Sequence, residues 1–250
     1  MTIRIGTAGW SFPRALEAFP ANGTGLERYA AVFDCVEINS SFYRPHQRKT
    51  YERWAAGTPE AFRFAVKAPR TITHEQRLHA CDDLVARFLD ETDGLGARRG
   101  PLLIQLPPSL RFDADAAERF LADWRRRTDA ATVLEPRHAT WFSPEAETLL
   151  ASFAVARVAA DPAIVPRAAE PGGAPGLIYR RWHGSPVIYE SAYPPEALED
   201  LATQLRSEIG SAETWCIFDN TKFGAATSDA LELRRQAGAA RLSLVVPESP

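Results

Sequence analysis

The segments CVEIN (35–39), FRFAVK (62–67), TVLEPRH (132–138) and LIYRRWH (177–183) each carry, at or near their C-terminal ends, residues that can move protons or hold charge. Side chains alternate between the two faces of a strand. In FRFAVK the apolar set Phe62, Phe64 and Val66 takes one face and leaves Arg63, Ala65 and Lys67 on the other. The same parity groups Cys35, Glu37 and Asn39, then Val133, Glu135 and Arg137, then Tyr179, Arg181 and His183. In LLIQL (102–106) it leaves Gln105 on the polar face. If the C-terminal ends of those faces point into one enclosure, two carboxylates, a lysine, two arginines and a histidine converge there.

Such a set supports metal-independent chemistry on a small molecule. Glu37 and Glu135 are the candidate acid and base, and His183 is a further proton carrier. Lys67 can stabilise developing negative charge or, if desolvated, form a Schiff base. Arg137 and Arg181 can hold a carboxylate or phosphate through paired N–H donors, with Asn39, Gln105 and Asn220 left for hydroxyls and carbonyls. The expected ligand is anionic or polyhydroxylated, and the reaction that of a lyase, isomerase or hydrolase. A glycosidase would need its two carboxylates about 5–5.5 Å or about 6.5–9.5 Å apart, and strands on opposite sides of a barrel make the shorter distance doubtful.

Two other readings use the same residues. A divalent-metal enzyme of the sugar-isomerase or endonuclease-IV kind would take Glu37, Glu135, Asp161 and His183 as ligands. No HExxH spacing occurs, and Lys67, Arg137 and Arg181 compete for those carboxylates, so neither metal nor other cofactor is expected. A metabolite-binding protein without catalysis would use the pocket unchanged. The network also has a purely structural reading, in which Glu37 pairs with Lys67 and Glu135 with Arg137 or Arg181. Trp10, Tyr43, His74, His138, Trp141 and Tyr189 would wall the mouth: Trp10, Tyr43 and His74 adjoin polar strand ends, whereas Trp141 and Tyr189 serve equally as packing.

The elements that must position these residues alternate along the chain. Strands are expected near 3–7, 35–39, 62–67, 102–106, 132–137, 154–160, 177–183 and 214–218. Helices are expected at 26–33, 50–56, 82–92, 114–126, 144–151, 195–208 and 228–236, several with Pro, Ser or Asp near the start. Eight strands with helices between them predict a single (β/α)8 TIM-type barrel over 1–250, whose active site lies at the C-terminal strand ends. The stretch PAIVPRAAEPGGAPG (162–176) is too rich in proline and glycine for a helix, so the sixth helix is expected to be replaced by a loop.

Composition narrows the class. The chain has 250 residues, 45% hydrophobic content and a net charge of -3, with no basic run, which disfavours a duplex nucleic-acid binder. No apolar stretch reaches membrane-spanning length and the N-terminus reads as a strand, so a cytoplasmic protein is expected. Cys35, Cys81 and Cys216 are odd in number and widely spaced, which suits reduced, buried thiols. The only lysines are Lys49, Lys67 and Lys222. Oligomeric state is not legible.

The motifs also carry a resemblance. IGTAGWSF (5–12), YAAVFDCVEINSSFYRP (29–45), FRFAVKAPRTITH (62–74), LLIQLPPSLRF (102–112), LEPRHATWF (134–142), YRRWHG (179–184) and IFDNT (217–221) together resemble the domain of unknown function 72 family, also called YecE-like. The resemblance spans nearly the whole chain. It implies a barrel close to the classical eight-stranded type and no particular reaction. IFDNT departs from the family's usual FNN pattern, so Asp219 stands where an amide is usual and Asn220 is the firmer candidate.

Overall fold

A computed structural model describes residues 2–13 and 16–238; the remainder of the 1–250 domain lies outside the described residues. Strands β1 (Ile3–Thr7), β2 (Cys35–Ile38), β3 (Arg63–Lys67), β4 (Arg99–Gln105) and β5 (Thr132–Glu135) are followed by β6 (Val155–Arg157), β7 (Ala159–Asp161), β8 (Gly172–Gly173), β9 (Leu177–Trp182) and β10 (Glu213–Phe218). Helices α1 (Gly25–Ala30), α2 (Ser40–Tyr43), α3 (Arg48–Ala56), α4 (Asp82–Thr92), α5 (Ala114–Arg127), α6 (Pro144–Ser152), α7 (Pro195–Glu208) and α8 (Ala225–Gln236) connect them. The helix starts follow local chemistry. Thr24 and Glu27 form a capping box on α1, Asp113 caps α5, and Ser143 caps α6 with Pro144 next to it.

The strands form two sheets, ordered β1-β10-β9-β7 and β2-β3-β4-β5-β6-β8, and every pairing but β6–β8 is parallel. The alternating parallel α/β organisation agrees with the sequence reading, whereas a continuous closed barrel ladder is not seen. Two seams relate the sheets. A single parallel bridge, Ala8 to Glu37, links the ends of β1 and β2. On the other side the run 155–161 pairs first with β5, then with β9. The 162–176 stretch contains no α-helix, as its prolines and glycines dictate. It forms a 3-10 turn at Pro166–Ala169 and then β8, which folds back on β6.

Two apolar layers result. The outer strand faces, including Ile5, Val36, Phe64, Leu102 and Leu134, pack with helix residues such as Phe88, Trp124 and Leu201. The inner layer is thinner and built of Cys35, Ala65, Leu103, Val133, Ala156 and Tyr179, with Trp215 below. This separation follows the period-two alternation of the strands. Among the described residues no helix is long and apolar enough to cross a membrane.

Gly6 allows β1 to approach β2. A Cβ there would overlap the Cys35 carbonyl and lie 2.9 Å from Cys35 Sγ. Relief requires movement of backbone, so Gly6→Ala is expected to cost about 1–3 kcal/mol by overpacking. A urea midpoint within experimental error of the native protein's would show that the seam between the sheets is looser than described.

A candidate active site at the C-terminal strand ends

Arg181 stands on β9 between β10 and β7, and its side chain reaches partners on both sheets. Its Nε and Nη2 donate to Glu37 Oε2 and Oε1 at 3.0 and 2.7 Å, Nη1 to Glu135 Oε2 at 2.6 Å, and Nη2 again to Asp219 Oδ2 at 2.8 Å. The planar fork therefore reaches Glu37 on β2, Glu135 on β5 and Asp219 just past β10, across both sheets. Tyr179 Oη donates to Glu37 Oε2 at 2.9 Å. His183 contacts Glu135 Oε1 through Nε2 at 2.9 Å and Asp219 Oδ2 through Nδ1 at 3.1 Å. Arg137 Nε pairs with Glu135 Oε1 at 2.7 Å.

Arg181, Glu37 and Glu135 are all fully buried. Such charges persist out of water only when paired and hydrogen-bonded, and here every carboxylate oxygen of the two glutamates is engaged. Burial alone would raise the Glu135 pKa, but Arg137, Arg181 and His183 hold it well below the ordinary carboxylate range. Burial likewise opposes ionisation of Asp219, and Arg181 with the His183 hydrogen bond overcomes it and lowers the pKa. Both stay ionised at neutral pH.

Lys67, at the end of β3, is placed differently. It is 7% exposed, and its Nζ lies 4.2 Å from the centroid of the Phe42 ring. Among the described residues no carboxylate is within ion-pairing distance of that nitrogen. Burial, then the charge of Arg181, lowers its pKa to about 8 against the partial opposition of Asp219, Glu37 and Glu135. The ordinary value is 10.5, so a substantial neutral fraction exists near physiological pH.

The remaining sequence candidates fall into two groups. Asn39 joins the cluster through Nδ2 to Asp219 Oδ1 at 3.3 Å and lines an open concavity of about 400 Å³ with Gly9, Trp10, Ser11, Ile38 and Ser40. His74 sits in a π-turn, Thr71–Glu75, edge-on to Phe42 at 4.9 Å; burial and then the Lys67 and Arg70 charges lower its pKa. Tyr43 is 75% exposed beside Phe42. Tyr189 meets His183 edge-on at 5.8 Å. Gln105 is buried and donates to the Leu106 carbonyl at 3.3 Å.

Other candidates are drawn away from the cluster. Asn220 donates to the Ser191 carbonyl and to Asp229 at 2.8 and 2.7 Å, tying the β9 loop to α8. His138 caps its own turn by accepting from Thr140 N at 3.2 Å, and Trp141 is a buried strut bonded to the Leu110 carbonyl. Asp161 accepts from Tyr193 Oη at 2.8 Å. Among the described residues no group of three or more His, Cys, Asp or Glu side chains is arranged to hold a metal ion.

Three participants escaped the sequence reading. Asp219 stands in the cluster where its odd position in IFDNT drew attention to its neighbour Asn220. Tyr179 shares the inward face of Arg181, which was the available signal. Phe42 offered none, because α2 turns it back onto Lys67 only in three dimensions.

Comparison with known proteins follows the motifs. A family model described as "Protein of unknown function DUF72" matches residues 4–250. The Escherichia coli (strain K12) protein named UPF0759 protein YecE is 40% identical over 105 residues, 42% of this chain and 38% of that protein. The Bacillus subtilis (strain 168) UPF0759 protein YunF is 31% identical over 153 residues, 57% of this chain and 53% of that protein. Both matches thus span less than two thirds of those relatives. Among solved structures, a DUF72 family protein from Enterococcus faecalis V583 superposes with a TM-score of 0.80 at 20% identity, covering 94% of this chain and 95% of that one. Another from Thermotoga maritima MSB8 gives 0.78 at 23% identity, covering 95% and 100%. At these identities the likeness concerns the fold.

Proposed function

We propose that this chain, which belongs to the DUF72 family, is an enzyme acting on a small anionic carbonyl compound, with Lys67 as its reacting amine and no resident metal. The observation that carries this reading is the contrast between Lys67 and its neighbours. Every other charge of the cluster is matched by a close ion pair, whereas Lys67 is buried at a strand end against an aromatic ring and has none. An amine with a pKa near 8 is suited to proton transfer or nucleophilic addition at neutral pH.

In this reading Glu37, Glu135 and Asp219 hold Arg181 and His183 in place rather than act as an acid and base pair. Arg137, whose side chain is 15% exposed, meets the ligand's anionic group, and Asn39 meets a hydroxyl or carbonyl. Arg181 occupies the space a cation would need between the carboxylates, which disfavours the metal-enzyme alternative. The reading also treats the two sheets as one closed eight-stranded barrel over a single domain. The Ala8–Glu37 bridge and the Arg181 contacts across both sheets support that.

The chemistry is explicit. Neutral Lys67 Nζ adds to the carbonyl carbon, the carbonyl oxygen takes up protons and leaves as water, and an iminium remains. Borohydride added with pyruvate should deliver hydride to that C=N bond and fix the ligand on Lys67 as a secondary amine. Mass spectrometry of the digested protein is expected to find the adduct on Lys67 and to lose it in Lys67→Met. Labelling of Lys49 or Lys222 in preference to Lys67 would overturn the assignment.

A further inference from the structure

Among the described residues, six of the seven exposed large hydrophobic side chains follow the C-terminal ends of strands: Tyr43 after β2, Ile164 after β7, Val187, Ile188 and Tyr189 after β9, and Phe223 after β10. The seventh, Ile209, lies at the end of α7. Exposed apolar side chains scattered singly need no explanation, but a set gathered at one end of the strands does. The three aromatic members, Tyr43, Tyr189 and Phe223, stand at 75%, 41% and 72% exposure.

Sheet order makes the grouping tighter. Strands β9, β10 and β1 are consecutive neighbours, and β1 meets β2 at the Ala8–Glu37 bridge. Tyr189, Phe223, Trp10 and Tyr43 therefore stand on four successive loops, and β3 with Lys67 comes next. Contacts tie both ends of this arc to the charged cluster. Tyr43 packs on Phe42, whose ring meets Lys67 Nζ, while Tyr189 packs on His183 and its carbonyl accepts from Lys222 N, next to Phe223.

We infer that the ligand of this site is an amphipathic anion: a charged, carbonyl-bearing head set at Lys67 and Arg137, on a flat apolar body that lies against the arc of Trp10, Tyr43, Tyr189 and Phe223. A sugar phosphate would place hydroxyls against this rim and gain little. An aromatic ring gains burial on both partners. The inference rests on the Lys67 reading for the head group and on the rim alone for the body.

Calorimetric titration separates the two. Phenylpyruvate is expected to bind at least about tenfold more tightly than pyruvate, the advantage of covering one phenyl ring. In the double variant Tyr43→Ala, Phe223→Ala the ratio of phenylpyruvate to pyruvate affinity should fall to within about twofold of unity. Equal affinities in the native protein, absence of phenylpyruvate binding, an advantage undiminished in the double variant, or tighter binding of glucose 6-phosphate would each overturn the inference. So would a native dimer that the double variant dissolves in sedimentation, since the rim would then be covered by a second copy. A persistent phenylpyruvate preference without borohydride trapping on Lys67 would sink the amine chemistry and leave the ligand class standing.

Discussion

Arg181→Met is expected to destabilise the protein by about 3–5 kcal/mol, enough to remove much of the stability of an ordinary domain. The side chain is fully buried and joins three carboxylates through four hydrogen bonds. Methionine fills similar volume but returns none of the charge, so Glu37, Glu135 and Asp219 would face one another in a dry interior. The pH dependence identifies the cause. In the native protein Glu135 and Asp219 have pKa values depressed below 4.5 and 3.8, so their stabilising contribution is present above those ordinary values and is lost as pH falls through the lower folded ones. Without Arg181, burial dominates and favours the protonated acids. The variant should therefore gain stability between pH 7 and 5 while the native protein does not. Adding Glu135→Gln should recover part of the loss. Urea unfolding at both pH values reads all of this, and a cost below 1 kcal/mol would mean that water already reaches the cluster.

The second large effect has the opposite sign. Lys67→Met is expected to make the protein more stable at pH 7, by about 3 kcal/mol if the whole displacement from 10.5 to about 8 is counted. For a lysine whose folded pKa is depressed, the unfolded chain binds more protons between those values. Its cost is full below about pH 8 and fades as pH rises toward 10.5. The stability difference between native protein and variant should shrink over that interval. The same substitution removes the nucleophile of the proposed addition and should abolish borohydride trapping of pyruvate together with any activity that depends on it. Greater stability with lost activity is the pattern of a residue retained for chemistry at the expense of the fold. A destabilised Lys67→Met at pH 7 would instead make the lysine a structural partner of the carboxylates.

The legible parts of this molecule are those governed by short-range rules. Alternation in FRFAVK, TVLEPRH and LIYRRWH placed Lys67, Glu135, Arg137, Arg181 and His183 on inward faces, because a strand facing helices outside and a packed interior has only one workable parity. The proline and glycine of 162–176 forbade a helix for equally local reasons. Partner choice was not local. The structural reading of the sequence pairs Glu37 with Lys67, whereas strand order brings Arg181 to Glu37 as well as to Glu135, and whether Asn220 would face the mouth depended on α8 delivering Asp229 and on the position of the Ser191 carbonyl. The division into two sheets was also invisible, since it depends on the single bridge from Ala8 to Glu37 and on the transfer of the 155–161 run from β5 to β9. Phe42 shows the same limit: its cation contact is made by a four-residue helix that no periodicity announces.

The placement of Lys67 as an unpaired, desolvated amine is tested most directly by its own titration. The chain has three lysines, so reductive ¹³C-methylation gives a spectrum simple enough to assign, with the Lys67 signal identified by its loss in Lys67→Met. A midpoint near pH 8 for that signal is the expected result. A midpoint at or above 10.5 would contradict it, and would return Lys67 to the ranks of the paired charges around it.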